Sequence, residues 1–311
     1  MEGGNVTMEP MLKVRGLSKS FGKKKVVDNV DLNVCAGEVM GFLGPNGAGK
    51  TTVIKMIMGF LSTDGGDIEI CGYNVKKNYE DAMALVGGIV ENPDMYKHFS
   101  GRLNLDMYAR THGGISETRI KEIIQLVGLQ NRINDKVKKY SLGMKQRLGL
   151  AMALVHKPRL LILDEPTNGL DPAGIKELRD ILKKVAHEEN VAVLVSSHQL
   201  AEMQLMCDRV TIISNGKIIC ENNVDEIGKE EGKEPCYIIR VNDSSLAAEV
   251  IGERATISDN ETIRINVRKE EISTIISSLA TAGVAIFEVK QEESSLEDAY
   301  MEITKGVSTI V

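Results

Sequence analysis

The sequence predicts an α/β fold built on a mostly parallel sheet, followed by a small α+β domain. Three continuous apolar runs, at residues 39–43, 160–163 and 191–195, have the length of strands, and each ends at glycine or polar residues. Such runs are typical of strands that are buried on both faces of a parallel sheet. Stretches with helical spacing lie between them, and the composition changes after residue 221.

Length and composition define the broad class. The chain has 311 residues, of which 42% are hydrophobic and 26% charged. At roughly 150 residues per domain this length predicts two domains, and the composition excludes collagen-like and disordered classes. No apolar run approaches the roughly 18 residues that span a bilayer, and residues 1–6 lack the features of a signal peptide. We therefore expect a cytoplasmic protein that reaches a membrane only through another chain.

The spacing of the cysteines and the distribution of charge exclude further kinds of protein. The absence of any C-x-x-C spacing argues against a disulfide framework or a zinc site. Residues 222–311 hold 9 basic and 18 acidic side chains, although the whole chain has a net charge of only −6. The acidic part would repel phosphate backbones, so we expect no nucleic-acid partner. The five cysteines are Cys35, Cys71, Cys207, Cys220 and Cys236.

The N-terminal part begins with two strand-like runs. Residues 11–17 and 26–34 are strand-like, the second run with alternating apolar and polar side chains, and they predict a piece of antiparallel sheet. The apolar run at 39–43 then leads into a glycine-rich turn and an amphipathic stretch at 50–60, which is a strand–loop–helix unit.

The middle of the chain is predicted to be mostly helical. Residues 82–155 carry apolar side chains at helix spacing, and a further helix at 175–185 lies between two of the apolar strands. The side chains that show the spacing best are Ile120, Ile123, Ile124 and Val127.

A charged segment poor in apolar residues divides the chain. We expect a first domain at residues 1–224, a linker at 225–235 and an acidic α+β accessory domain at 236–311. The accessory domain is predicted to have strands at 237–241, 262–267 and 284–289, and helices at 244–251, 270–281 and 295–304, the last with a capping box of Ser294 and Glu297.

A complete phosphate-binding motif follows the first apolar strand. Residues 44–51 read GPNGAGKT and match G-x-x-x-x-G-K-[ST] in the strand-to-helix context that the motif requires. Its N–H groups and the helix dipole would hold nucleotide phosphates, with Lys50 on the β- and γ-phosphates and Thr51 on Mg²⁺. The chain is therefore predicted to be a P-loop NTPase. The nucleotide-binding residues of this segment are Gly44, Pro45, Asn46, Gly47, Ala48, Gly49, Lys50, Thr51 and Thr52.

Two carboxylates end the apolar strand at 160–163. Asp164 is placed to hold Mg²⁺ and Glu165 to polarise the attacking water, because ligands bind at the carboxyl ends of strands in open α/β sheets. Alone, an Asp-Glu pair is more often a solvated strand end. After a P-loop in the same chain it indicates a hydrolytic site.

Further motifs follow in an ordered set. Residues 140–147 read YSLGMKQR and contain Ser141 and Gly143, and residues 168–172 read NGLDP and contain Asp171. His198 follows the apolar strand at 191–195, and Phe21 precedes the P-loop. Over residues 11–221 the chain resembles the ATP-binding subunits of ABC transporters, which have an antiparallel β-subdomain and a helical subdomain beside the P-loop core.

The resemblance implies a role for each of these residues. Phe21 would stack on adenine, His198 would contact the γ-phosphate as a catalytic residue with Lys50 and Glu165, and Ser141 and Gly143 would face the nucleotide of a second subunit, with Asp171 in the loop beside it. Other interpretations stay open: Phe21 as a core aromatic, His198 as a plain strand-end histidine, and Ser141 as a helix N-cap.

Departures from the family pattern are informative. Leu142 and Met144 replace a glycine and a glutamine of the signature, and Glu91 stands where the family usually has glutamine. A carboxylate at Glu91 would lie near the nucleotide and Mg²⁺, so the expected metal ligands are Thr51, Asp164 and Glu91. With the acidic C-terminal extension, these features resemble the branch of bacitracin- and lantibiotic-type export and immunity ATPases.

The resemblance implies an ATPase that powers a separate membrane permease from the cytoplasmic face of the membrane, and that exports an antimicrobial peptide or another amphipathic compound. Its partners would be a second copy, in a head-to-tail ATP-bound dimer, and a polytopic permease whose coupling helix is received by residues 93–105. An ABC-type ATPase acting on DNA or the ribosome is the alternative, but such relatives carry a long coiled coil or two cassettes. A nucleoside kinase would not account for Ser141, Asp171 and His198 together.

Overall fold

The structure is a computed structural model that describes residues 10–91, 93–224 and 234–291. Its contacts divide the chain into two compact units, Met1–Val224 and Asp225–Val311. The expected helix at 295–304, its capping box and most of the expected linker lie outside the described residues.

The first unit contains both strands and helices along its sequence. Its strands are β1 (Pro10–Phe21), β2 (Lys24–Cys35), β3 (Val39–Leu43), β4 (Gly65–Ile70), β5 (Tyr73–Asn74), β6 (Val86–Ile89), β7 (Leu160–Asp164), β8 (Ala192–Ser197), β9 (Arg209–Ser214) and β10 (Lys217–Asn223). Its α-helices are α1 (Lys50–Ile57), α2 (Tyr79–Met83), α3 (Gly101–Thr111), α4 (Glu117–Leu126), α5 (Leu142–Leu154), α6 (Pro172–Glu189) and α7 (Leu200–Met206).

The central sheet places three strand ends side by side. Its order is β10-β9-β3-β8-β7-β6, and β3 pairs in parallel with β8 and β9, as β7 does with β8 and β6. The carboxyl ends of β3, β8 and β7 therefore meet at one edge in that order. The loops after these three strands carry the P-loop, His198 and Glu165, so the topology alone brings these motifs together.

Strand β6 corrects the expectation that residues 82–155 are helical up to the strand β7. Its sequence Val-Gly-Gly-Ile is short and rich in glycine, which weakens any strand signal. The reason for the first glycine is steric: a Cβ at Gly87 would lie 2.1 Å from Ala153 O of α5. The helix thus packs directly on the strand backbone, a tertiary requirement that local propensity does not show.

A second, antiparallel sheet has the order β2-β1-β4-β5. The sequence predicts β1 and β2, although both are longer than expected, and it misses β4 and the two-residue edge strand β5. Helix α1 lies within the apolar core that both sheets share, and it ends at Ile57 instead of reaching residue 60. Core side chains of the two sheets and α1 include Leu12, Val14, Leu32, Phe42, Ile54, Ile57, Ile70, Leu160 and Leu194.

Helices α3, α4 and α5 form the helical part of the first unit. Each begins at a serine whose hydroxyl accepts a backbone N–H of the first turn: Ser100 from Leu103, Ser116 from Arg119, and Ser141 from Met144. These caps satisfy N–H groups that have no partner inside the helix. The expected periodicity of α4 is confirmed by its buried isoleucines, which are Ile120, Ile123 and Ile124.

The second unit is an antiparallel sheet with two helices. Its elements are β11 (Cys236–Val241), α8 (Ser244–Ile251), β12 (Ala255–Asp259), β13 (Thr262–Asn266), α9 (Ile272–Thr281) and β14 (Ile286–Gln291). The sheet order is β12-β13-β11-β14. Strand β12 was not expected, and β14 begins two residues later than the sequence suggests. The unit has its own core, built around Tyr237, Ile239, Ile263, Ile265 and Leu279.

Candidate nucleotide site

The loop between β3 and α1 has the backbone that phosphate binding requires. Gly44 sits against β9, where a Cβ would lie 2.3 Å from Ile213 O, and Gly49 caps α1 with a φ of 109° that favours glycine. The first helical hydrogen bond is Val53 N to Gly49 O at 2.9 Å, and the first turn contains no acidic side chain. The N–H groups at the start of α1 thus precede its hydrogen bonds and form an anion-binding end.

Lys50 places a buried ammonium group inside this loop. Its side chain is 6% exposed, and Nζ donates to Gly44 O at 2.6 Å and to Pro45 O at 3.3 Å. Glu165 Oε1 lies 3.3 Å from the same nitrogen. The loop carbonyls hold the ammonium in place, and the carboxylate balances its charge where no phosphate is bound.

Asp164 ends β7 as a buried carboxylate with a defined partner. It is 3% exposed, and Ser196 Oγ at the end of β8 donates to its Oδ1 at 2.6 Å. The same hydroxyl accepts the N–H of Glu165 at 2.9 Å. Ser196 therefore fixes both carboxylate residues, and sequence reasoning missed it. The available signal was the switch from the five apolar residues at 191–195 to two serines at the end of a buried strand.

Glu165 and His198 form the centre of the site. His198 Nδ1 lies 2.8 Å from Glu165 Oε2, so the imidazole orients the carboxylate. Glu165 has a φ of 49°, a left-handed conformation that costs a non-glycine residue about 1–3 kcal/mol. Such strain persists where the surroundings fix the side chain for a function. The adjacency of β7 and β8 brings these two residues together from positions 33 residues apart.

The residues at this edge suit Mg²⁺ better than a transition metal. The expected ligands Thr51 and Asp164 offer oxygen donors, which Mg²⁺ prefers. Among the described residues no group of three or more His, Cys, Asp or Glu side chains could hold a metal. Mg²⁺ commonly binds through one or two carboxylates together with substrate phosphates, and a hydroxyl with one carboxylate fits that pattern. Nearby in sequence, the buried hydroxyl of Thr167 has no hydrogen-bond partner in the structure.

Phe21 lies at the end of β1 with 51% of its surface exposed. The alternative that it is a core aromatic is therefore wrong. Lys19 Nζ lies 5.9 Å from the ring centroid, within the range of a cation–π contact. An exposed ring of this kind is available to stack on a planar base.

Ser141 and Asp171 lie at the starts of two other helices. Ser141 Oγ accepts Met144 N at 3.2 Å at the start of α5, and Asp171 Oδ1 accepts Gly174 N at 3.1 Å at the start of α6. Ser141 is thus an N-cap, as one interpretation held. Within the described residues, no hydrogen bond joins either side chain to the P-loop or to the two carboxylates of β7. Gly143 lies two residues after Ser141, in the first turn of α5.

Glu91 has a different environment from the one expected of a metal ligand. Its exposed carboxylate accepts a hydrogen bond from Lys55 Nζ of α1 at 2.8 Å, and this ammonium lowers the pKa of the carboxyl below its usual range. Within the described residues, the hydrogen-bond partner of Glu91 is Lys55, whereas that of Asp164 is Ser196. A role of Glu91 in metal binding therefore stays a proposal. The residue lies between β6 and α3, ahead of the helical part of the first unit.

Comparison with known proteins gives consistent results. The family model described as ABC transporter matches residues 27–168. The ABC transporter ATP-binding protein YhcH of Bacillus subtilis (strain 168) is 46% identical over 297 residues, which cover 96% of this chain and 97% of YhcH. The bacitracin transport ATP-binding protein BcrA of Bacillus licheniformis is 38% identical and covers 96% of this chain and 99% of its own.

Two further matches cover about 70% of the chain. The lantibiotic transport ATP-binding protein SrtF of Streptococcus pyogenes is 42% identical over 215 residues, which cover 69% of this chain and 92% of SrtF. A solved structure of an ATP-binding subunit of an ABC transporter superposes with a TM-score of 0.64 at 30% identity, and covers 71% of this chain and 93% of its own. Every helix in the described part of the chain is too short or too polar to cross a membrane.

The site geometry and the comparisons lead to the same conclusion. A P-loop, two carboxylates and a histidine meet at one sheet edge, and relatives that match almost the whole chain are ATP-binding subunits. The chain resembles the bacitracin and lantibiotic branch in the way the sequence predicted. This protein belongs to the family of ABC transporter ATP-binding subunits, which bind ATP and hydrolyse it to power transport.

Proposed function

We propose that this chain powers a separate, polytopic membrane permease from the cytoplasmic face, and that the transporter exports an antimicrobial peptide or another amphipathic compound. The observation that carries the proposal is an exposed apolar surface on the helical part, distinct from the nucleotide site. The similarity to BcrA and SrtF, which are named for bacitracin and lantibiotic transport, supports the cargo class.

The exposed surface consists of Tyr96, Phe99 and Leu103, within the segment that the sequence predicts for the permease contact. Tyr96 is 61% exposed, and its ring centroid lies 5.6 Å from that of Phe99. Adjacent exposed aromatic groups on a soluble chain indicate an interaction surface, since aromatic side chains dominate interface energetics. A helix from a permease would bury these rings.

A buried asparagine holds this surface in shape. Asn104 is 2% exposed; its Oδ1 accepts Tyr96 N at 2.8 Å, and its Nδ2 donates to Tyr96 O at 3.2 Å and Ser100 O at 2.8 Å. One side chain therefore satisfies three backbone groups of the loop that presents the rings. A loop fixed in this way is prepared for a partner and loses little entropy when it binds.

At the nucleotide site we assign roles residue by residue. Lys50 neutralises charge on the phosphates, Phe21 stacks on the base, and Glu165, oriented by His198, accepts the proton of the attacking water. Thr51 and Asp164 would hold Mg²⁺, which supplies further charge neutralisation on the phosphates when it is bound.

We further propose that two copies associate head to tail when ATP is bound. Ser141 and Gly143 lie on an exposed helix start that offers a hydroxyl and N–H groups, the chemistry that binds a phosphate. In the family that this chain belongs to, the corresponding segment faces the nucleotide of a second subunit, which supports a second copy as the source of the nucleotide that Ser141 meets. Asp171 would lie at the same interface.

Co-purification from detergent-solubilised membranes tests the permease partner. The tagged full chain should recover a protein with several membrane-spanning helices, identified by mass spectrometry. Tyr96→Ala combined with Phe99→Ala should abolish that recovery while ATP binding stays within about twofold of wild type. Tyr73→Ala, an exposed aromatic change on the antiparallel sheet, is the matched control and should recover the permease normally.

The alternative partners give different results. Recovery of ribosomes or DNA in place of a polytopic protein would contradict the transport proposal and favour an ABC-type ATPase that acts on nucleic-acid assemblies. Recovery of the permease by the double variant would show that the exposed surface is not the contact.

A further inference from the structure

The loop that follows Glu165 packs on the start of α5 through two leucines. Leu142 Cδ2 lies 2.9 Å from the point that a Cβ would occupy at Gly169. In the reciprocal direction, Leu170 Cδ2 lies 3.8 Å from the point that a Cβ would occupy at Gly143. Leu142 therefore covers Gly169, and Leu170 covers Gly143. Gly169 has a φ of 76°, so both its conformation and the space beside it suit glycine there.

The loop that carries Gly169 begins at Glu165. Asn168 N donates to Glu165 O at 3.2 Å, and Leu170 N donates to Thr167 O at 3.1 Å. These successive turns make a short, internally bonded segment between the carboxylate that activates water and the leucine that covers Gly143. A displacement of Glu165 would therefore move Leu170 as well.

The other segment is the start of α5, just after Ser141. The Ser141 hydroxyl caps α5 through Met144 N, and Leu142 is the next residue, at the first position of that helix. Leu142 is 43% exposed, so part of its surface packs on the neighbouring loop and part reaches solvent. Its movement would turn the start of α5 and with it the Ser141 hydroxyl.

We propose that Leu142 is a positioning residue that couples the Glu165 loop to Ser141 within one subunit. The inference rests on the proposed head-to-tail dimer, in which Ser141 faces the nucleotide of the second copy. In that arrangement the Leu142–Gly169 contact links the hydrolytic carboxylate of one site to the phosphate contact of the other site. The sequence departs from the family signature at Leu142, and the structure shows that the added side chain lies over Gly169.

A double-mutant cycle on the full chain tests the coupling. Leu142→Ala and Leu170→Ala should each lower kcat for ATP hydrolysis by about threefold to tenfold and leave KM within about twofold, because contacting residues interact by amounts of this order. The double variant should be no slower than the slower single variant. Leu142→Met, which keeps volume and apolarity, should restore kcat, and Leu205→Ala, a change at an exposed leucine of α7, should leave kcat unchanged.

Amide hydrogen exchange measures the same coupling without requiring the dimer. Leu170→Ala should accelerate exchange at Met144, and Leu142→Ala should accelerate exchange at Leu170, with Leu205→Ala altering neither. Unchanged exchange at both amides, or kcat losses that multiply in the double variant, would overturn the proposal. A third outcome is that the wild-type chain shows no ATP-dependent self-association while the variants show altered exchange. This result would refute the proposed dimer and would leave the contact acting only within the subunit.

Discussion

His198 Nδ1 and Glu165 Oε2 lie 2.8 Å apart, and the other oxygen of the same carboxylate lies 3.3 Å from Lys50 Nζ. Glu165 is thus held between a histidine that orients it and a buried ammonium that neutralises it. A phosphate that enters the loop would compete for Lys50, since it carries more charge than the carboxylate. Nucleotide binding is therefore expected to release Glu165 from Lys50 while the histidine keeps it aligned.

Replacement of Glu165 by glutamine should separate hydrolysis from binding. The amide cannot accept the proton of the attacking water, so kcat should fall by about 10²–10⁴-fold, the usual contribution of a general base. ATP should still bind, and size-exclusion chromatography with Mg-ATP should show a stable dimer. Glu188→Gln, a change at an exposed carboxylate of α6, is the control and should leave kcat unchanged. Turnover by Glu165→Gln at nearly the wild-type rate would show that another group is the base.

Replacement of Lys50 by alanine should act on binding itself. The change removes a buried cation whose partners are loop carbonyls, so phosphate charge loses its main counter-charge inside the loop. Loss of a buried, hydrogen-bonded charge contact costs about 2–5 kcal/mol, which corresponds to an ATP affinity at least about thirtyfold weaker. Isothermal titration with ATP measures it, and Lys184→Ala on α6 serves as the control. An unchanged affinity would mean that the backbone N–H groups alone hold the phosphates.

Variants of Glu91 and Lys55 test whether the Glu91 carboxylate acts on the metal or only on Lys55. We expect Glu91→Gln to keep ATP affinity within about tenfold and to shift the Mg²⁺ concentration that gives half-maximal hydrolysis. Lys55→Met removes the observed partner at 2.8 Å and keeps the carboxylate. A shift with Glu91→Gln alone supports a metal role. The same shift in both variants, or in neither, would reduce Glu91 to one member of an exposed ion pair.

The nucleotide site could be predicted from the sequence because its residues lie in contiguous motifs at strand ends. Lys50, Asp164, Glu165 and His198 each follow an apolar run, and parallel strands bring such ends together. Ser196 could not be assigned in the same way, because its role depends on β8 lying beside β7. The two serines that end the apolar run mark a strand end, but the order of the strands, and hence the partner of Ser196, is set by long-range packing.

Strands β6 and β12 and the contact between Leu142 and Gly169 could not be predicted from the sequence, each for a physical reason. The backbone of α5 packs against Gly87, so this position of β6 requires glycine. Because glycine has a low strand propensity, the local sequence does not indicate the strand. The contact between Leu142 and Gly169 joins residues 27 positions apart through side-chain shape alone. Strand β12 lies at a sheet edge and is mostly exposed, so it lacks the alternation that identified β11.

A chain that ends at Gly228 should fold and bind ATP. The core of the first unit draws its apolar side chains from residues 12–213, while the core of the second unit draws on residues 237–284. Every phosphate-facing group of the site lies before residue 199. We expect a helical circular dichroism spectrum and an ATP affinity within about threefold of the full chain. A folded, soluble truncation that fails to bind ATP would show that the acidic unit completes the site.

Acid sensitivity of the first unit should depend on His156. Its ring is stacked on His112 with centroids 4.2 Å apart, and Nε2 lies 3.1 Å from Val86 O of β6. Burial, followed by the neighbouring His112, lowers the pKa of His156 from 6.5 to about 4. Between these values the unfolded chain binds a proton that the folded chain does not, so stability is complete above about pH 6.5 and falls as the pH drops toward 4.

Replacement of His156 by glutamine should flatten this fall, because the variant keeps a polar group for Val86 O and has no proton to take up. Discounted for partial exposure, the wild type should lose about 1 kcal/mol more than His156→Gln between about pH 7.5 and about pH 5. Urea denaturation followed by circular dichroism at both pH values measures the difference. His98→Gln, a change at an exposed histidine, should behave like wild type. Parallel losses in wild type and His156→Gln would assign the acid sensitivity to other groups.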